Sequence, residues 1–453
     1  MVERIKSVIL TILILSSLLL SGLLWYKSPS VEEMRRNDYI PQQQIGETRQ
    51  LAQLVMPRSV IYHTGDGRNF MSFAGDNVYD RVTSALTEVQ FTQIEEKKVT
   101  RERWEQLLTQ LPGWELRFPT AVPIDVLTER LYPGLETTDQ LRSVDRIWVY
   151  REQQEVNVLF ISDFENRVYE SQLVVSNGTD SFEQINEVGL LPVTPVTEEH
   201  ISVNAYEPIK ISTHYFPSRD LSMSEWEAPL KEIDLEQMKN LLFLDPSRVR
   251  TMTDTEEGTV MMQDGTRSIR YVEADHHLSY QNYKAQLESK PNAYDFHEAV
   301  QFINQHGGWM ADYQLVNIET RTSENETNHY SFRLVKGGLP VYDREDEVRF
   351  GTLMSVESKG GHVLHYDRSL HFTAEEEFMG QRAIPGGSDA QERLLQQVSM
   401  TAVRDMFPAY RVTVDDEAKA LTYTPGWRIQ FTNGDEAWIN ELLEEGGEAD
   451  GLE

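Results

Sequence analysis

Three histidines and a carboxylate crowd one short string, His362, His365, His371 and Asp367, and imidazole with carboxylate is a donor set for a divalent metal. Read as a strand, the string puts His365, Asp367 and His371 on one face and His362 on the other. Positions 365 and 371 are then about 20 Å apart along the strand, too far to share one ion. Surface or core histidines are the favoured reading. Asp275-His276-His277 reads the same way, because adjacent strand residues face opposite sides. His297-Glu298 opens the H-E-x-x-H pattern, but Gln301 stands where the second histidine must be, so no zincin site can form.

Glu95-Glu96, Glu256-Glu257 and Glu375-Glu376-Glu377 could serve glycoside hydrolysis, which needs two carboxylates of unlike pKa across a sugar cleft. With 73 acidic residues in the chain, such runs arise by number alone and read as solvated faces. The Asn-x-Thr triplets at Asn177 and Asn325 read as loops. No G-x-G-x-x-G, P-loop or G-x-S-x-G string occurs. The expectation is therefore no catalytic residue, no cofactor, no metal and no enzyme.

The better patterned segment is apolar. Residues 7–26 carry no charge and include twelve Leu, Ile or Val, a length that crosses the hydrocarbon layer as a helix. A cleavable signal peptide is the rival reading; the run exceeds the usual h-region, no A-x-A-like site follows, and Trp25 and Tyr26 close it as a membrane-interface anchor. Arg4 and Lys6 favour a cytoplasmic N-terminus, with the bulk of the chain outside in a single-pass arrangement. At 100° per residue, Ser7, Thr11, Ser17, Ser21 and Gly22 fall within an arc of about 140°, with Ser16 on the far side. Small and hydroxylated residues let helices approach closely in lipid, so this stripe is expected to face a partner helix.

Stepping outward from the helix, residues 1–6 form a cytoplasmic tip and the polar residues 27–50 a stalk. The net charge of −31 repels nucleic acid, which is excluded as a partner. Zero cysteine means no disulfide and no thiolate metal site. Pro192 and Pro195 cannot continue a helix or a central strand and mark a boundary; a second break follows residue 285. The expected parts are an N-terminal α+β domain at 51–192, a middle α+β domain at 196–285, a C-terminal α+β domain at 291–440 and an acidic tail at 441–453. Each mixes helix and strand periods with mostly antiparallel sheets, and Asp264-Gly265 and Asn177-Gly178 are hairpin signals. A helix, a tight turn, an aromatic and a strand recur three times: Trp104, Leu107, Leu108 and Leu111 before Trp114; Phe296, Ala299, Val300 and Ile303 before Trp309; and Leu395, Val398, Ala402 and Met406 before Tyr410.

Several local strings carry a resemblance: LLWYKSP at 23–29, IGETRQLAQLVMPRSVIYH at 45–63, GGLPVYD at 337–343 and HYDRSLHF at 365–372. With the single N-terminal helix, they resemble the YycH family, regulators of the essential cell-wall two-component system (YycF/YycG, or WalR/WalK) of low-GC Gram-positive bacteria. The resemblance implies a non-enzymatic regulator beside a sensor histidine kinase of the YycG/WalK type, with a YycI-like membrane protein as second partner and a YycI-like fold at 291–440. It also implies contact through the transmembrane helices, which agrees with the stripe. Two rivals stand beside this reading, a binding module for a wall fragment or peptide and a wall-active hydrolase. The binding module needs an apolar pocket and the hydrolase paired groups in a cleft.

Overall fold

The computed structural model describes Arg4, Lys6, Ser16 and Ser17, and then residues 45–128, 132, 134–135, 141–163, 165–174, 187, 189–200, 210–288, 296–319, 327–343, 351–373, 375–415 and 417–448. The chain divides into two units, Met1–Gln44 and Ile45–Glu453. In the first, the four described residues are helical and exposed. Among the described residues no helix is long and apolar enough to cross a membrane; the remainder of the expected span at 7–26 lies outside them.

Among its described residues the second unit mixes helices with two large sheets, one of ten strands and one of fifteen. The ten-stranded sheet runs Lys210–Pro217, Leu191–His200, Asn69–Ser72, Ser59–His63, Gly113–Pro123, Ser143–Glu152, Glu155–Ser162 and Arg167–Val174, with two short strands at the far edge. Neighbours pair antiparallel throughout this sheet. In the larger sheet, Val341–Asp343 pairs parallel with residues 410–412, and the Asp264-Gly265 turn joins Thr259–Gln263 to Arg267–Val272. That turn forms because Gly265 takes a φ of +92° and Asp264 Oδ1 accepts from the amides of Thr266 and Arg267.

Two of the three helix-turn-strand units form as their spacing dictates. Helix Arg101–Thr109 buries Trp104, Leu107 and Leu108, with Thr100 accepting from the Arg103 amide at its N-cap; it ends before Leu111, which lies half-buried in the turn that follows. Helix Phe296–Gln305 buries Phe296, Ala299, Val300 and Ile303 and turns through Gly307 and Gly308 into Tyr313–Glu319. Gly308 has a φ of +70°, and a Cβ there would lie 2.7 Å from the Glu47 carbonyl oxygen, so glycine alone lets Trp309 bridge to Glu47. The third unit is corrected: its helix ends at Gln397, and Met406 belongs to strand Val403–Asp415. Residues 406–410 are all buried, and a segment covered on both faces has no period to read.

The Pro192–Pro195 run, expected to interrupt any strand, lies within one, Leu191–His200. Strand Leu191–His200 pairs with Asn69–Ser72 only over residues 191–193 and with Lys210–Pro217 only from Val193 onward. Each proline therefore sits where the ladder has a partner on one side only, the condition under which a missing N–H is tolerated.

One core cluster gathers Leu116, Val149, Val158 and Phe160 of the ten-stranded sheet with Met238, Ile303, Phe332 and Tyr366. Alternation puts Leu116, Ile147, Val149 and Val158 on that face and Glu115, Arg117, Arg146 and Trp148 on the opposite one. Both faces are buried, which leaves strand Gly113–Pro123 almost without exposed residues.

Candidate functional site

Charge inside a strand is expensive unless paired, and the covered face of the ten-stranded sheet holds an alternating series. Glu115, fully buried, is the centre. Its Oε1 accepts from Arg117 Nη1 at 3.2 Å and Arg146 Nη1 at 3.1 Å, and its Oε2 accepts from the Tyr215 hydroxyl at 2.5 Å. Arg146 also grips Asp163 with two bonds, of 2.8 and 2.6 Å. Arg117 Nη1 donates to the Thr213 carbonyl at 2.9 Å while its Nη2 lies 3.3 Å from Asp405 Oδ1. Arg58 completes the series on Asp405 and stacks its guanidinium 3.8 Å over the Phe407 ring. Asp163, Arg146, Glu115, Arg117, Asp405 and Arg58 thus alternate in sign from one sheet into the other.

Local structure sets these positions. Arg117 and Arg146 are cross-strand partners, as are Glu115 and Trp148, so their side chains leave one face together. Burial alone would raise the Glu115 pKa, but the charges of Arg117 and Arg146 prevail and hold its carboxyl well below the usual range. His214 is lowered too, to about 4, first by its burial and then by the Arg117 charge. A permanently ionised carboxylate with each oxygen already accepting a bond, and no exposure, has no proton to give and no path to a substrate. This network is a clamp.

The more accessible feature is a polar cleft of about 420 Å³ further along the same face, lined among others by Lys97, Arg103, Tyr150, Glu152 and Glu170. Four of its charges pair with one another. Arg103 makes a two-bond pair with Glu152 at 2.6 and 3.0 Å, Lys97 pairs with Glu170 at 2.6 Å, and the Tyr150 hydroxyl bridges Arg103 and Glu170. Burial chiefly pushes the Tyr150 hydroxyl up to about 12. The Arg103 bonds hold the Glu152 carboxyl below its usual range, the opposite of the raised acid that glycoside hydrolysis asks for.

Of the stripe Ser7, Thr11, Ser17, Ser21 and Gly22, only Ser17 is described; it is helical and exposed. The other four and the anchor pair Trp25 and Tyr26 lie outside the described residues. His365 Nε2 and Asp367 Oδ2 meet at 2.9 Å, whereas His371 belongs to a separate short strand, His371–Thr373, beyond a break at Leu370. Sequence reasoning passed over Glu115, Arg117, Arg146 and Asp405. The alternation of Glu115 and Arg117 with Trp114, Leu116 and Phe118 mimics a solvent face, and only a cover from a distant strand reveals otherwise.

The family models described as YycH protein, N-terminal domain, and YycH protein, C-terminal domain, match residues 3–187 and 212–445. The chain is 22% identical over 481 residues to the "Two-component system WalR/WalK regulatory protein YycH" of Bacillus subtilis (strain 168), an alignment covering 100% of this chain and 99% of that one. The crystal structure of YycH from Bacillus subtilis is similar in fold, with a TM-score of 0.67 at 18% identity, covering 88% of this chain and 99% of that one.

Proposed function

The chain belongs to the YycH protein family, and from that premise we propose that it is a non-enzymatic, membrane-anchored regulator of a sensor histidine kinase of the WalK type that controls cell-wall metabolism. The observation that carries this reading is the end-to-end likeness to a protein named as a WalR/WalK regulatory protein. Supporting it, the charged groups with altered pKa around Glu115 are locked in a clamp, and those of the cleft are paired among themselves.

Anchoring rests on residues 7–26, set in the bilayer with the N-terminus cytoplasmic and the bulk outside. The stripe Ser7, Thr11, Ser17, Ser21 and Gly22 is the contact with the kinase helices and with a YycI-like second regulator, and Trp25 and Tyr26 hold the outer interface. Residues 51–192, 196–285 and 291–440 are three outer parts, the last YycI-like in fold.

The test replaces residues 7–26 by an unrelated transmembrane helix and reads kinase output in cells. Loss of regulation with normal surface abundance is the expected result. Full regulation through the foreign helix would remove this helix from the mechanism.

A further inference from the structure

Glu232 ends strand Leu221–Glu232, His276 sits in the turn before strand His277–Asn282, and His371 opens strand His371–Thr373. One ligand atom from each lies within 4.8 Å of the other two. We propose that these three side chains bind a single divalent transition metal, Zn²⁺ being the ion their chemistry fits, and that the ion fastens three elements of the large sheet together.

The donor set is two imidazole nitrogens and one carboxylate oxygen, the combination that suits a borderline ion and leaves a fourth position open to water or an outside donor. Tetrahedral bonds of about 2.0–2.2 Å put neighbouring donors roughly 3.3 Å apart. Glu232 Oε1 and His276 Nδ1 are already 3.1 Å apart. The rings of His276 and His371 stack at 3.7 Å between centroids with a 28° tilt, so the two imidazoles are already adjacent, and one ring turns out of the stack to bring both in-plane lone pairs onto one ion.

The backbone holds this arrangement before any ion arrives. Glu232 and His371 are direct cross-strand partners. Leu370, fully buried and next to His371, donates its N–H to the His276 carbonyl at 2.9 Å and accepts from the Ile233 amide at 2.8 Å. One peptide neighbour thus fixes the main chain at all three ligands. His276 itself has a φ of +45°, a left-handed conformation that costs a non-glycine residue about 1 kcal/mol and persists only where the surroundings impose it.

A supporting group is also in place. The Tyr271 hydroxyl donates to Glu232 Oε1 at 2.7 Å, where it orients the carboxylate as partners behind metal ligands commonly do; its 3.1 Å approach to His276 Nδ1 is given up when that nitrogen takes the ion. Glu232 is exposed and both histidines are half-buried, so an ion can reach the site from solvent. Reading the strand alone separates His365 from His371 and yields no site. The topology supplies His371 with partners from positions 232 and 276 instead.

The experiment uses the full chain in detergent, stripped with EDTA and titrated with Zn²⁺ by calorimetry, with magnesium in excess to occupy the acidic surface. Co²⁺ serves as a spectroscopic probe. One equivalent should bind, with a Co²⁺ visible spectrum of tetrahedral type and a rise in thermal midpoint. His276→Gln, His371→Gln and Glu232→Gln should each weaken binding by more than about tenfold and Tyr271→Phe by about tenfold, all keeping the metal-free midpoint of the parent. His365→Gln should bind like the parent. Absence of saturable binding overturns the proposal, as does binding that survives both histidine substitutions or is lost in His365→Gln. Should a glutamine variant fail to fold, the Co²⁺ spectrum of the folded parent still decides, because carboxylates alone give weak octahedral bands without imidazole ligation.

Discussion

Arg117 Nη2 lies 3.3 Å from Asp405 Oδ1, across 288 positions of chain and between two different sheets. Arg58 reaches the other oxygen of the same carboxylate. Arg117 lies in strand Gly113–Pro123 and Arg58 immediately precedes the neighbouring strand Ser59–His63, and the Arg58 amide donates to the Arg117 carbonyl at 2.6 Å. Asp405 therefore docks the Val403–Asp415 strand onto a rigid pair.

Breaking a buried pair by removing one partner leaves a charge unpaired at a cost of about 3–5 kcal/mol. Glu115→Gln and Asp405→Asn should each lower unfolding stability by that order in denaturant titration. Replacing Glu115 together with Arg117 by apolar residues of similar volume should recover part of the loss. Single variants as stable as the parent would show that the series contributes no docking.

Acid should loosen the same region. Burial, with the Arg117 charge, lowers the His214 pKa to about 4, while the unfolded chain takes up that proton near pH 6.5. Because the unfolded state binds more protons between these values, the contribution is complete above about pH 6.5 and is lost as pH falls toward about 4, up to roughly 3 kcal/mol. His214→Gln should flatten the slope of stability against pH across that window. An unchanged slope would contradict the assignment.

A bulky residue on the proposed contact face of the transmembrane helix should block close approach. Ser17→Ile, Ser21→Ile and Gly22→Leu are expected to weaken association with the kinase helices by about 0.5–2 kcal/mol each in a membrane two-hybrid assay. Ser16→Ile and Leu20→Ile, on the far side at 100° per residue, should behave as the parent. Insertion is unharmed in all five because none adds a charge. Equal behaviour of the two sets would refute the face assignment.

Purified chain should not turn over peptidoglycan fragments. The measurement is release of reducing ends or free stems over time. Turnover that Glu152→Gln or Glu170→Gln abolishes would make the cleft an active site and sink the non-enzymatic reading.

A single engineered protease site between residues 285 and 291 should yield two fragments that stay together until denatured. Gln314 Nε2 donates to the Met56 carbonyl at 2.6 Å, Glu47 bridges Trp309, and Asp405 holds Arg58 and Arg117. Separation of the fragments on a native column would mean that the proposed parts at 51–192 and 291–440 are held together mainly by covalent continuity.

Local chemistry was the part of the fold most legible in the residues. The Asp264-Gly265 turn and the helices at 101–109 and 296–305 follow from positive φ and from a spacing of three and four. Met406 misled because burial on both faces erases periodicity, and Pro192 and Pro195 misled because their tolerance depends on which neighbouring strand stops where. Glu115 goes unmarked in the sequence for a related reason. The Tyr215 hydroxyl that closes over it comes from a strand 100 positions away, and Glu232, His276 and His371 converge only once strands far apart in sequence are paired. Nonlocal pairing of this kind leaves no mark in a window of a dozen residues.

The alternating series from Asp163 to Arg58 also constrains descent. Its inner members each serve two neighbours of opposite sign, so a substitution at position 115, 117, 146 or 405 changes the value of the others, and their effects cannot add. Any route from this network to a different one passes through an intermediate carrying a stranded buried charge, at a cost comparable to much of a domain's whole stability. Among related sequences these four positions are therefore expected to drift in concert or to stand still together, with intermediates surviving only in backgrounds stabilised elsewhere.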